Sequence, residues 1–106
     1  MGTRQDDRLV ARAEVIKAMG HPTRLAILEM LEVGERCVCD LHQEVGSDLS
    51  TVSRHLSVLK HAGLIADRRE GTSIYYRLIA PCVTRFMGCV DSMLKTRAKR
   101  QAGLLK

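Results

Sequence analysis

Between residues 38 and 59 two apolar stripes at helical spacing are separated by a three-residue break, and that break constrains the fold more than any other feature. Val38, Leu41 and Val45 stand at i, i+3 and i+7 and are closed by Gly46. Val52, Leu56 and Leu59 follow, with Ser47 and Asp48 between the stripes as N-cap candidates. The first stripe predicts a two-turn helix; the second predicts a longer helix ended by Gly63 after Lys60 and His61. Two helices joined across Gly46, Ser47 and Asp48 read as a helix-turn-helix. Immediately downstream, residues 64–69 and 74–79 flank Glu70, Gly71, Thr72 and Ser73, two extended segments around a glycine-containing turn. A hairpin in that place reads as a wing.

The flanking segments complete the outline. Leu9, Ala13 and Ile16 predict a first helix of about ten residues ending near Gly20. Pro22 opens a second, in which Leu25, Ile27, Leu28 and Leu31 form an apolar face and Gly34 supplies the stop. Pro81 opens a last helix, whose stripe of Val83, Phe86, Met87, Val90, Met93 and Leu94 is too broad for a solvated surface. The basic residues from about 95 onward are expected to fray. The fold class that follows is mainly α with a β-hairpin: five helices plus a wing, in a single domain spanning residues 1–106. With one Phe, two Tyr and no Trp, its core has to be aliphatic. A domain this small buries a limited fraction of its surface, so extra burial against a partner is expected to help it.

Seventeen Lys and Arg against twelve Asp and Glu give a formal charge of +5, a balance that suits a polyanion without requiring one. The face of the fourth helix opposite its apolar stripe carries Ser50, Thr51, Ser53, Arg54 and Ser57, with His55 beside them. Short hydroxyls and one long cation reach phosphates and base edges when a helix lies in a major groove. Any exposed helix face is polar, so this pattern alone decides little. Arg68 and Arg69 before the hairpin turn and Arg77 after it add a cationic finger suited to a neighbouring phosphate or minor groove. As a bland alternative, charges there keep an edge strand from pairing. Residues 1–12 lack an apolar leader-like run and no stretch of about 18 apolar residues occurs, so a cytoplasmic protein with no membrane partner is expected.

Four cysteines without a secretory leader are ligands, redox groups or buried hydrophobes rather than a disulfide framework. Cys37 and Cys39 bracket the start of the third helix, where the positive end of the helix favours negative charge. Residues i and i+2 point about 200° apart in a regular helix, so joint ligation requires an irregular or unwound first turn. Cys82 and Cys89, seven apart, fall within about 20° on one face of the last helix, where packing as small hydrophobes is the alternative to ligation. A thiol oxidoreductase would use Cys-x-x-Cys beside a βαβ unit, and neither is present, so an enzyme is not expected. A soft-metal-binding thiol protein without a DNA function would explain the cysteines but not the Ser50 to Ser57 face. His21 reads as a helix-start residue, His61 as a last-turn cation, and Met19, Met30, Met87 and Met93 as packing residues.

Taken together, Glu35-Arg36-Cys37-Val38-Cys39-Asp40-Leu41, Ser50-Thr51-Val52-Ser53-Arg54-His55-Leu56, His21-Pro22-Thr23-Arg24-Leu25 and Tyr75-Tyr76-Arg77-Leu78 resemble the ArsR/SmtB family of metal-responsive repressors, over roughly residues 10–94. The resemblance implies a winged helix-turn-helix homodimer built from the first and last helices, with the fourth helix in the major groove of an inverted-repeat operator. It further implies that the inducer-free dimer represses and that inducer binding releases the DNA. No obligatory cofactor is implied. The Cys-Val-Cys-Asp-Leu box resembles the arsenic-responsive branch, but the third thiol of that branch is replaced here by His42, which makes Cys82 or Cys89 the expected further ligand. The zinc-responsive ligands fall on Ala80, Cys82, Met93 and Thr96, which argues against zinc there. Arsenic(III) or antimony(III) is the expected inducer. Cadmium or lead comes second, because cadmium sensors add N-terminal cysteines that residues 1–20 lack; a persulfide or disulfide sensor comes third.

Overall fold

The computed structural model describes residues 4–103. Five helices and a three-stranded sheet follow in the order α1 (Arg4–Met19), α2 (Pro22–Val33), β1 (Arg36–Cys37), α3 (Val38–Val45), α4 (Leu49–His61), β2 (Ile65–Glu70), β3 (Ser73–Leu78) and α5 (Val83–Gln101). The sheet is antiparallel with β3 in the middle, between β1 and β2.

Local chemistry sets most of these boundaries. His21 caps α2, its Nδ1 accepting the Thr23 N–H at 3.1 Å, and Pro22 takes the first helical position, where its missing N–H costs nothing. Asp48 caps α4 through Oδ1, which accepts the Thr51 N–H at 2.8 Å. At the other end of α4 the Gly63 N–H bonds to Lys60 O and the Leu64 N–H to Leu59 O, a Schellman closure in which Gly63 takes φ +83°. That closure turns the chain directly into β2. Gly71, at φ +63°, is the first of two residues linking β2 to β3, the position that a type II′ hairpin turn reserves for glycine.

The core is aliphatic, as the composition predicts: Ile27, Leu28 and Leu31 from α2, Leu41 from α3, Val52, Leu56 and Leu59 from α4, and Leu64 and Ile65 at the root of the wing. Among the described residues α1 buries Ala18 and Met19 in it and α5 buries Val83, with Val15 and Met87 packed against its edge. The outer lengths of both terminal helices stand away from the core. A radius of gyration of 16.6 Å exceeds the roughly 13 Å of a compact chain of this length. Leu9, Val10, Ile16, Phe86, Met93 and Leu94 are accordingly exposed.

The sequence expectations differ from the structure at four places. Helix α1 has 16 residues rather than about ten, because its polar first half is helical without burying a face. Helix α5 begins at Val83; Pro81 and Cys82 form the turn before it, with the Thr84 N–H on Pro81 O. The basic segment that was expected to fray is helical through Gln101, and residues 104–106 lie outside the described residues. Strand β1 has no sequence signature, since two residues are too few for a period.

Candidate nucleic-acid interface and thiol pair

Helix α4 presents Ser50, Ser53, Arg54 and Ser57 on its exposed face, opposite Val52, Leu56 and Leu59. Ser50 is committed to the cap, its hydroxyl donating to Asp48 Oδ1 at 2.8 Å. The Thr51 and Ser50 hydrogen bonds hold the Asp48 carboxyl down at about 2, so the cap is ionised at any physiological pH. Ser53, Arg54 and Ser57 carry no side-chain hydrogen bond or ion pair among the described residues, so their polar groups are open to solvent.

Thr51 and His55 lie off that face and are half-buried. His55 Nδ1 accepts from Arg24 Nε at 3.1 Å, Arg24 Nη1 donates to the Ala18 carbonyl at 3.1 Å, and the His21 ring sits 4.5 Å from that of His55. One guanidinium thus ties the end of α1 and the start of α2 to α4. Burial first, then the charges of His21, Arg24 and Arg54, push the His55 pKa below its ordinary value. A neutral ring whose Nδ1 accepts carries its proton on Nε2.

The three wing arginines are not equivalent. Arg68 forks onto Glu35, Nε to Oε2 at 3.0 Å and Nη2 to Oε1 at 2.8 Å, while Nη1 donates to Glu70 Oε2 at 2.9 Å. Its guanidinium lies 4.7 Å above the Tyr75 ring. These hydrogen bonds raise the Arg68 pKa further and lower that of Glu35. Arg69 and Arg77 are exposed and make no ion pair among the described residues. At the wing's base Lys60 bonds Asp67 at 3.0 Å, tying the end of α4 to β2.

Cys37 ends β1 and caps α3, its Sγ accepting the Asp40 N–H at 3.4 Å. Cys39 is the second residue of α3 and is exposed. Cys82 and Cys89 are also exposed, on the last turn before α5 and on α5 itself. Cys82 lines an apolar groove of about 320 Å³ with Ile16, Met19 and Phe86; Cys89 lines another of about 370 Å³ with Met93, Arg97 and Arg100. All four thiols are free, and among the described residues no three His, Cys, Asp or Glu side chains are gathered to hold a metal. No described helix is long and apolar enough to cross a membrane.

Residues 21–67 match the family described as bacterial regulatory protein, arsR family. An HTH-type transcriptional regulator of Methanocaldococcus jannaschii is 42% identical over 82 residues, which span 76% of this chain and 92% of that protein. The chain belongs to the ArsR family. The arsenical resistance operon repressor of Escherichia coli is 41% identical over 66 residues, 62% of this chain and 56% of the repressor. A cadmium resistance transcriptional regulatory protein homologue of Staphylococcus aureus is 42% identical over 67 residues, 62% and 55% of the respective chains. Among solved structures, the homodimeric winged helix-turn-helix DNA-binding domain of a possible ArsR-family regulator from Mycobacterium bovis is similar with a TM-score of 0.79. It is 35% identical and covers 94% of this chain and 93% of that one. This ArsR-family chain is therefore a transcriptional regulator with a winged helix-turn-helix DNA-binding fold, not an enzyme.

Two features of the ArsR-family site were out of reach of sequence patterning. Arg24, part of a motif string, and His21, read as a helix-start residue, support His55 from 31 and 34 positions away. Glu35, part of the motif string, holds Arg68 across 33 residues. Each is a long-range pairing of polar side chains, and periodicity carries no signal for those.

Proposed function

We propose that this ArsR-family protein is a cytoplasmic repressor that holds an inverted-repeat operator as a homodimer and releases it when arsenic(III) or antimony(III) binds Cys37 and Cys39. The observation that carries the sensor is the pair of accessible thiols at the capped start of α3, the helix packed directly against the reading helix. The E. coli relative's name, an arsenical resistance operon repressor, supports the same inducer. Each thiol displaces one hydroxyl of arsenous acid as water, so two arsenic–sulfur bonds form, two arsenic–oxygen bonds break and no electron is transferred. Cys82 or Cys89 supplies the third donor, with His42 as the remaining candidate.

Dimerisation is supported by the exposed apolar residues of α1 and α5 and by the homodimeric state of the M. bovis neighbour. A two-fold axis relating two copies of α4 calls for an inverted repeat. In this arrangement Ser53, Arg54 and Ser57 read base edges, Ser50, Thr51 and His55 position the helix, and Arg69 follows the adjacent phosphates with Arg68 behind it. Release then needs the inducer only to favour the DNA-incompetent state, by a coupling of about 1–3 kcal/mol.

A second reading, a cadmium or lead sensor, is favoured by the S. aureus relative and by the affinity of thiolates for soft cations. Operator-release titrations with arsenite, antimonite, cadmium, lead and zinc on the four single Cys→Ser variants separate the two. Release by arsenite at concentrations where cadmium and lead do nothing, lost in both Cys37→Ser and Cys39→Ser, is the expected result. Release that survives both substitutions refutes the thiol site.

A further inference from the structure

Strand β1 joins the thiol pair to the wing. Cys37 stands opposite Tyr75 on β3, and Tyr75 stands opposite Arg68 on β2. Directly opposed residues in an antiparallel sheet share a face, so thiol, ring and guanidinium form one row across three strands. Glu35, two residues before Cys37, lies on the same face and closes the row by its fork onto Arg68. The pairs made by β1 lie level with Asp67 and Arg68, midway along the hairpin. The root of the hairpin is fixed independently, by buried Ile65, and the Lys60–Asp67 ion pair ties the hairpin to α4 no farther out than the level of Arg36. What β1 braces is the outer half, which carries Arg69.

Ligation of Cys37 and Cys39 by one ion has to move one side of this junction. Cys37 has extended backbone, φ −77° and ψ 157°, while Cys39 is already helical. Leu41, two residues beyond Cys39, is fully buried and pins α3 to the core. Arg36 and Cys37 are only half-buried, and β1 rests on a two-residue ladder. The strand, not the helix, is the part that gives. We propose that β1 is the lever of the sensor: arsenic(III) bridging Cys37 and Cys39 takes the Cys37 sulfur off the α3 cap, draws β1 from β3 and lifts Glu35 from Arg68. The outer wing then loses its brace and its preorganised grip on DNA, while α4 stays packed. This inference rests on the thiol reading of the preceding subsection and adds the route by which it acts.

The chain has two tyrosines, Tyr75 and Tyr76, and both are on β3, so 3-fluorotyrosine labelling of the full-length protein yields ¹⁹F signals from the wing alone. Titration with sodium arsenite is expected to shift or broaden the Tyr75 resonance stoichiometrically and to speed amide exchange across β1 and β3, leaving the amides of α4 protected. In Glu35→Gln, arsenite is expected to bind with wild-type stoichiometry, but the fold-loss of operator affinity that it causes falls to less than a third of the wild-type value. If arsenite binds the thiols and releases DNA while the tyrosine signals stay still, or while α4 loses protection instead, the lever is refuted and the thiol site stands. If arsenite does not bind Cys37 and Cys39, the thiol reading itself fails and the lever falls with it.

Discussion

Truncation of Phe86 tests the dimer with a magnitude the structure supplies. Phe86 is 44% exposed in the single chain, at the edge of the groove it shares with Ile16, Met19 and Cys82. For an aromatic residue of roughly 200 Å², that leaves about 90 Å² for a partner to cover. At about 25 cal/mol per Å² this contributes about 2 kcal/mol per copy. Alanine keeps only the β-carbon, so Phe86→Ala forfeits about 1.5 kcal/mol per copy and, in a symmetric interface where each substitution counts twice, about 3 kcal/mol per dimer. The dimer dissociation constant should therefore rise on the order of 100-fold. Sedimentation velocity over a concentration series measures it directly. Arg85→Ala, about 100° away around α5, should leave the constant within about twofold. A Phe86→Ala dimer constant within threefold of wild type would place the interface elsewhere and refute the use of α5 as its core.

Further substitutions at four positions address the DNA face and its supports. Arg69→Ala should lower operator affinity and reduce the slope of log affinity against log salt by about 0.9. Arg68→Ala should change that slope much less, because Glu35 and Glu70 already neutralise its charge; equal slopes from fluorescence anisotropy at several salt concentrations would contradict the difference in pairing. His55 titrates below its ordinary 6.5 in the folded protein, so the unfolded chain takes up the proton first. Stability is therefore complete above about pH 6.5 and declines as pH falls from there to the folded value, and His55→Gln should flatten this decline in thermal melts between pH 7.5 and 5. Asp48→Ala should speed amide exchange at Thr51 and lower operator affinity, while Asp48→Ser, which caps equally well, should preserve both.

Helices α2, α3 and α4 were legible in the sequence because each turns a periodic apolar face to the core, and the wing because two extended segments flank a glycine-containing turn. His21, Asp48, Gly63 and Gly71 all act where their chemistry predicts. Helix α1 is longer than the sequence predicts because its core contacts among the described residues are confined to its C-terminal part, at Val15, Ala18 and Met19, so most of its length has no burial pattern to read. Strand β1 was invisible: two residues next to a glutamate carry no alternation. The DNA face was legible as a set of residue types but not as a division of labour. Sequence placed Ser50 and Ser53 together, and only the hydrogen bond to Asp48 shows that Ser50 serves the cap. It likewise placed Arg68 and Arg69 together, although strand alternation and Glu35 send them to different tasks.

The exposure of the thiols bears on the choice between ligands and packing residues. Free cysteine is among the most buried residue types. Here Cys37 is half-buried and Cys39, Cys82 and Cys89 are exposed, while none of the core side chains is a cysteine. Cys82 and Cys89 line apolar grooves that the proposed dimer would cover, so packing against a partner accounts for whichever of them does not supply the third donor. No such surface accounts for Cys39, and Cys37 performs a capping task for which serine is the better residue, since a hydroxyl oxygen accepts an amide hydrogen bond at shorter range than sulfur. A structural role and a sensing role therefore make opposite forecasts for Cys37→Ser. If Cys37 is there for the fold, substitution lowers the unfolding midpoint. If it is there for a soft ligand, the midpoint holds or rises, because the cap improves, while arsenite no longer binds stoichiometrically or releases DNA. Calorimetry of the variant with and without arsenite reads both quantities in one protein, and a lowered midpoint with an intact arsenite response would overturn the assignment.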